Sequence, residues 1–141
     1  IEKETRLEIE AKLYQISPVI DEEFEEKRKI GENDNYLCSL IRNDDIDDFI
    51  IYVNQRNISL SSKITNTIFE TNYFLLKKDP TIIEYTAFFG SIQIFRYLCL
   101  NRVKLNSSLW YYAIHSRNPE LIHICEEYCI EKMFDQYRLS Q

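Results

Sequence analysis

One pattern recurs along this chain and constrains its fold more than any other feature. Three segments repeat it: "LCSLIRNDDIDDFIIYV" at 37–53, "IEYTAFFGSIQIFRYL" at 83–98 and "LWYYAIHSRNPELIHIC" at 109–125. Each starts as a short apolar run, meets a polar corner, and resumes with an apolar pair: Phe49/Ile50, Ile94/Phe95 or Leu121/Ile122. Such self-similarity marks a supersecondary unit that buries its faces by stacking on its neighbours. The unit here is two helices joined by a corner.

Glycine scarcity points the same way. The chain has 2 glycines and 3 prolines in 141 residues. Tight β-turns and phosphate-cradling loops both draw on glycine for positive φ or close backbone approach. An all-β sandwich or a dinucleotide-binding site is therefore disfavoured, and helices joined by short polar turns are expected.

Apolar spacing at Ile9, Leu13 and Ile16 predicts a helix over 2–16. Ser17-Pro18 then predicts a second helix from about 18 to 30, closed by Gly31. Glu23–Lys27 and Glu25–Lys29 are spaced to pair along it. "GENDN" at 31–35 reads as a linker. Beyond it, short helices are expected at 36–43, 82–89 and 108–115, and their partners at 45–55, 91–100 and 119–137. Asn118 is the expected cap of the last. Ser61-Ser62 and the apolar residues Ile64, Ile68, Phe69, Leu75 and Leu76 predict a further helix over 61–78, with a break near Asn72 left open, ended by Pro80.

The middle unit resembles the ankyrin repeat. Thr81, Ile83, Thr86, Ala87, Gly90, Ile92, Ile94, Phe95 and Leu98 fall on the repeat's consensus positions, and Lys104-Leu105-Asn106 stands where the closing tripeptide falls. Ala87 would be small where two antiparallel helices approach, and Gly90 would permit a left-handed corner. Ile82 and Glu84 replace the usual proline and histidine, and the third unit lacks the glycine and carries one extra residue. The first two units lie 46 residues apart (37 to 83), against about 33 in a regular array. The stretch 36–127, with "SLWYYAIHS" and "NPELIH", is also similar to an uncharacterised ankyrin-type domain family expanded in parasitic protists. The resemblance implies an all-α, ankyrin-like stack of about three irregular units over 36–141. An N-terminal helical pair and linker over 1–35 would precede it.

Composition narrows the function. The formal net charge is −6, which disfavours sequence-independent nucleic-acid binding. No apolar run approaches the roughly 20 residues of a membrane span. Cys38, Cys99, Cys125 and Cys129 sit in apolar stretches, as reduced thiols of a cytoplasmic protein would. His123, Cys125 and Cys129 lack a fourth ligand at zinc spacing, and no cofactor is expected. Asp44, Asp45, Asp47 and Asp48 open a helix, where carboxylates satisfy unpaired N–H groups. No activated nucleophile is evident, so no enzyme is expected.

What the resemblance implies is a non-enzymatic protein-interaction module. Its binding surface would join the turn residues Lys77, Lys78, Arg102, Lys104 and Asn106 to the inner-helix residues Phe88, Tyr111 and His115. Basic turns on an acidic protein favour a partner with an acidic patch. The alternative is a structural subunit built permanently into a larger assembly.

Overall fold

The structure, a computed structural model, describes residues 18–139, with side chains over 22–129. The helix expected over 2–16 lies outside the described residues. Within them the chain is all-α. In order the helices are α1 (Pro18–Ile30), α2 (Tyr36–Arg42), α3 (Ile46–Gln55), α4 (Tyr73–Leu76), α5 (Ile82–Phe89), α6 (Ile92–Leu100), α7 (Leu109–Ser116) and α8 (Pro119–Leu139).

α1 places Lys27, Arg28 and Lys29 in its last turn, where they meet the negative end of the helix. Lys27 bridges Glu23 at 3.4 Å; Glu25 pairs with Arg28 at 4.0 Å, not with Lys29. Gly31, at φ +66°, ends the helix by donating its N–H to the Lys27 carbonyl at 3.1 Å. The end of α1 is tied to the segment 69–71. Phe24 meets Phe69 edge-on at 5.2 Å, and Thr71 donates its hydroxyl to the Gly31 carbonyl at 2.7 Å.

The remaining helices form three hairpins, α2/α3, α5/α6 and α7/α8. Their first helices lie side by side in one row, α2–α5–α7, and their second helices in another, α3–α6–α8. Each corner is turned by one residue in the left-handed region: Asp44 at φ 51°, Gly90 at 67° and Arg117 at 53°. Each donates its N–H to the carbonyl three residues earlier, on Ile41, Ala87 and Ile114, at 3.0, 3.1 and 3.2 Å. Only one corner uses glycine. Aspartate is among the side chains that tolerate this conformation; at Arg117 the same turn is made without that help. The turns leaving α3 and α6 repeat the device at Asn57 (51°) and Arg102 (54°).

The helix expected over 61–78 is a correction. Only Tyr73–Leu76 is helical. Ile64 instead donates to the Pro80 carbonyl at 2.7 Å and Ile82 to that of Ser62 at 3.0 Å, an isolated antiparallel bridge. The residues explain the outcome. Ile64, Thr65, Thr67, Ile68 and Thr71 are β-branched and lose side-chain freedom in a helix. Asn66 and Asn72 compete for the backbone: Asn66 Nδ2 donates to the Leu75 carbonyl at 2.8 Å, and Asn72 Oδ1 accepts from Phe74 N–H at 3.0 Å. Ser62 bonds back to the Ser59 carbonyl rather than capping a helix.

This segment, residues 62–76, runs as a strap over the hairpins. Ile64 and Leu75 are buried in the common core with Phe49, Tyr85, Phe95 and Leu121. With α2 and α7 on either side, α6 behind and the strap across it, α5 is enclosed: every residue from Ile82 to Ala87 is buried.

Candidate interaction surface

The strap brings α4 against the ends of two inner helices. The Phe74 ring lies 4.1 Å from that of His115, 4.9 Å from Tyr112 and 6.0 Å from Phe88, on which it stacks nearly parallel. Phe88 and His115 are themselves 5.6 Å apart. Phe88 and His115, expected on one surface, do meet, with Phe88 half-buried and His115 exposed. Phe74, which joins them, is not among the sequence-expected residues. Its signal is the "NYFLL" stretch, whose Asn72, at the break left open in the expected helix, caps a single helical turn.

The inner face of the middle hairpin is therefore filled by the chain itself. Tyr85 and Tyr112 are buried, and Tyr85 belongs to a polar cluster beneath the strap. Arg42 Nη1 donates to the Tyr85 hydroxyl and to the Asn33 carbonyl, both at 2.8 Å, while its Nε pairs with Glu32 at 2.7 Å. Asn33, fully buried, donates to the Thr65 carbonyl at 3.0 Å. The Cys38 thiol lies against Tyr85, and burial pushes it up to about 11. Burial likewise raises Tyr85. Glu70, also buried, accepts the N–H groups of Thr71 and Asn72 at 3.0 and 3.2 Å through one carboxylate oxygen.

The basic turns lie away from this cluster, at the end of the stack opposite the corners. Lys77 and Lys78 are exposed and lead into Pro80 and the bridge. Arg102 and Lys104 are exposed on the turn between α6 and α7, and Lys104 N–H donates to Ser61 Oγ at 3.3 Å. That bond sets the 101–106 turn beside the 58–63 turn, which contributes the exposed Lys63. Asn106 is half-buried, its carbonyl accepting from Leu109 N–H at 3.1 Å, so it serves the start of α7. Tyr111 is exposed, with no ring contact to Phe74, Phe88 or His115 among the described residues.

The carboxylates have other work. Asp45 caps α3 through Asp48 N–H at 3.2 Å, and Asn118 caps α8 through Glu120 and Leu121 N–H at 3.1 and 3.3 Å. Glu84 is buried. It completes a capping box with Thr81, then reaches Ser108 Oγ at 2.5 Å, fastening the second hairpin to the third. Among the described residues no group of three or more His, Cys, Asp and Glu side chains is placed to hold a metal ion. No helix among them is long and apolar enough to cross a membrane. Comparison of the chain with protein-family models, with curated proteins and with solved structures finds no match.

Proposed function

We propose that this chain is a non-enzymatic protein-interaction module of the ankyrin-repeat type, and that it takes a partner bearing an acidic patch. One observation carries the reading. Lys63, Lys77, Lys78, Arg102 and Lys104 are exposed at one end of the stack, while the carboxylates Asp44, Asp45, Asp47, Asp48 and Glu120 gather at the other. None of those five cations is in an ion pair among the described residues. Lysines left unpaired on a protein of charge −6 steer an acidic partner to that end. The Phe74–Phe88–His115 group, at the corner end and apart from the basic turns, offers a second, aromatic contact of the kind that anchors interfaces.

The test compares capture from a lysate of the source cells by the wild-type chain and by a variant with Lys77, Lys78, Arg102 and Lys104 changed to Glu. The reading expects a stoichiometric partner held by the wild type and released by the variant. A partner retained equally by both overturns the basic-turn surface.

A second reading, a subunit built permanently into a larger assembly, is favoured by the exposed apolar residues of α7. It expects a partner that survives the charge reversal.

A further inference from the structure

Two carboxylates are buried among the described residues, and their charges are met differently. Glu84, 3% exposed, has both oxygens engaged: Oε1 by the Thr81 N–H and hydroxyl, each at 3.0 Å, and Oε2 by Ser108 Oγ. Glu70, 5% exposed, has only one engaged. Its Oε2 accepts from Thr71 and Asn72 N–H, while Oε1 is shut off from solvent with no hydrogen-bond partner among the described residues. Nor does Glu70 enter an ion pair among them. Arg42, whose charge reaches Cys38 and Tyr85 as that of Glu70 does, is taken up by Glu32, the Asn33 carbonyl and the Tyr85 hydroxyl. A charged group taken out of water needs a counter-charge and hydrogen bonds to offset the loss. Half of this carboxylate has neither.

The same stretch of the strap carries two more buried oxygens without a partner, Thr67 Oγ1 and Asn66 Oδ1. Glu70 N–H donates to the Thr67 carbonyl at 3.2 Å, closing a turn whose two ends lie within about 7 Å of each other. Asn66 stands beside it with its amide fixed. Nδ2 faces two acceptors, the Leu75 carbonyl at 2.8 Å and Asp79 Oδ1 at 3.2 Å, so Oδ1 is turned away from them. The turn is held on both sides, by Asn33 on the Thr65 carbonyl and by Thr71 on that of Gly31. A carboxylate, an amide carbonyl and a hydroxyl are the donors a hard cation takes. A water molecule would hydrogen-bond these oxygens but bring no charge to the carboxylate; a cation does both. Calcium accepts an irregular oxygen shell completed by water, whereas magnesium demands a regular octahedron.

We propose that the 66–70 turn of the strap is a cation site of the calcium class, held by Glu70 Oε1, Thr67 Oγ1 and Asn66 Oδ1. With a single carboxylate the binding is weak, with a Kd of about 10⁻³ M. The site is separate from the basic turns, and its failure would leave the acidic-partner reading standing.

Thermal unfolding of the whole chain, stripped of metal and titrated with calcium chloride at constant ionic strength, tests it. The midpoint should climb with calcium and go on climbing with its logarithm above the Kd, and magnesium should move it less. Tb³⁺, a luminescent substitute for calcium, should give a saturable emission excited through tyrosine, since Tyr85 lies within electrostatic reach of Glu70, and calcium should displace it. Glu70→Gln keeps an oxygen for the Thr71 and Asn72 N–H groups and removes the charge. It should weaken calcium about tenfold or more, yet in EDTA its midpoint should equal or exceed that of the wild type. A carboxylate with a merely structural role would lose stability there instead. Thr67→Val, of the same shape, should also weaken calcium. Asp47→Asn, in the exposed acidic corner, should leave both readouts unchanged. A midpoint that calcium does not move overturns the inference. So does a calcium or terbium response that follows Asp47, or one that survives both turn substitutions.

Discussion

The carboxylate of Asp44 accepts the backbone N–H groups of Gln93 and Ile94, at 3.1 and 3.0 Å. It lies in the corner of the first hairpin and caps the second helix of the next. Ser91, the residue at the helix's own N-cap, makes no side-chain cap bond; its hydroxyl goes to the Ile41 carbonyl. Adjacent hairpins thus exchange partners across their corners.

Asp44→Ala loses this cap and puts alanine in the left-handed region. The two effects together should cost about 2 kcal/mol in urea unfolding. Asp44→Asn keeps one acceptor oxygen and the backbone tolerance, and should cost about half as much. An Asp44→Ala variant within about 0.5 kcal/mol of wild type would show that the cap contributes nothing.

The two glycines should respond unequally. A Cβ at Gly90 would meet nothing closer than 3.5 Å, so Gly90→Ala should cost only its left-handed backbone, about 1 kcal/mol. A Cβ at Gly31 would lie 2.7 Å from Thr71 Oγ1, the atom that donates to the Gly31 carbonyl. Gly31→Ala should therefore cost about 1 kcal/mol more, through loss of that bond. Equal unfolding midpoints for the two variants would contradict the Thr71 tether.

Burial raises Cys38 to about 11 and Cys125 to about 12, from an ordinary 9.0. At pH 8 only about one Cys38 in a thousand is thiolate. Peptide mapping after native-state alkylation should find Cys38 and Cys125 unmodified until the protein unfolds. The same shifts set a pH dependence. Raised groups keep protons in the folded state that the unfolded chain releases, so their stabilisation is complete below pH 9. It is lost as pH rises from 9 toward 11 and 12. Buried Tyr85, raised in the same direction, adds to the loss at the alkaline end. Unfolding free energies from pH 8 to 11 should fall, and Cys38→Ala should flatten the slope. A stability rising over that range would refute the assignment.

Leu75 and Ile68 both lie on the strap, at opposite extremes of burial. Leu75→Ala opens a cavity in the common core and should cost about 3 kcal/mol. Ile68, 73% exposed, should tolerate the same change within about 0.5 kcal/mol. If both changes are silent, the strap is not packed on the hairpins.

The hairpins were legible because their signals are local. Apolar spacing and Asn118 before Pro119 each act within one helix, and observed bounds fall within one or two residues of those expected. The strap was not, because what holds it is distant: Thr71 to Gly31, Asn33 to Thr65, Leu75 within a core built from other hairpins. Its apolar residues fit a helical spacing, and only their β-branching and the two asparagines argued otherwise. Of the expected surface, the basic turns could be read from position alone. The meeting of Phe88 with His115 could be anticipated, but Phe74 between them depends on the strap's path.

That path has a consequence for how the molecule comes apart. A row of repeats held by nearest neighbours frays from its ends, one unit at a time. Here the strap touches the end of α1 at Gly31, the linker at Asn33, the centre of the core at Leu75 and the third hairpin through Phe74 and Tyr112. Pulling the first hairpin away would strip a fastening from the last. The molecule should behave under mechanical load as one cooperative body, yielding in a single event where a plain array would unzip.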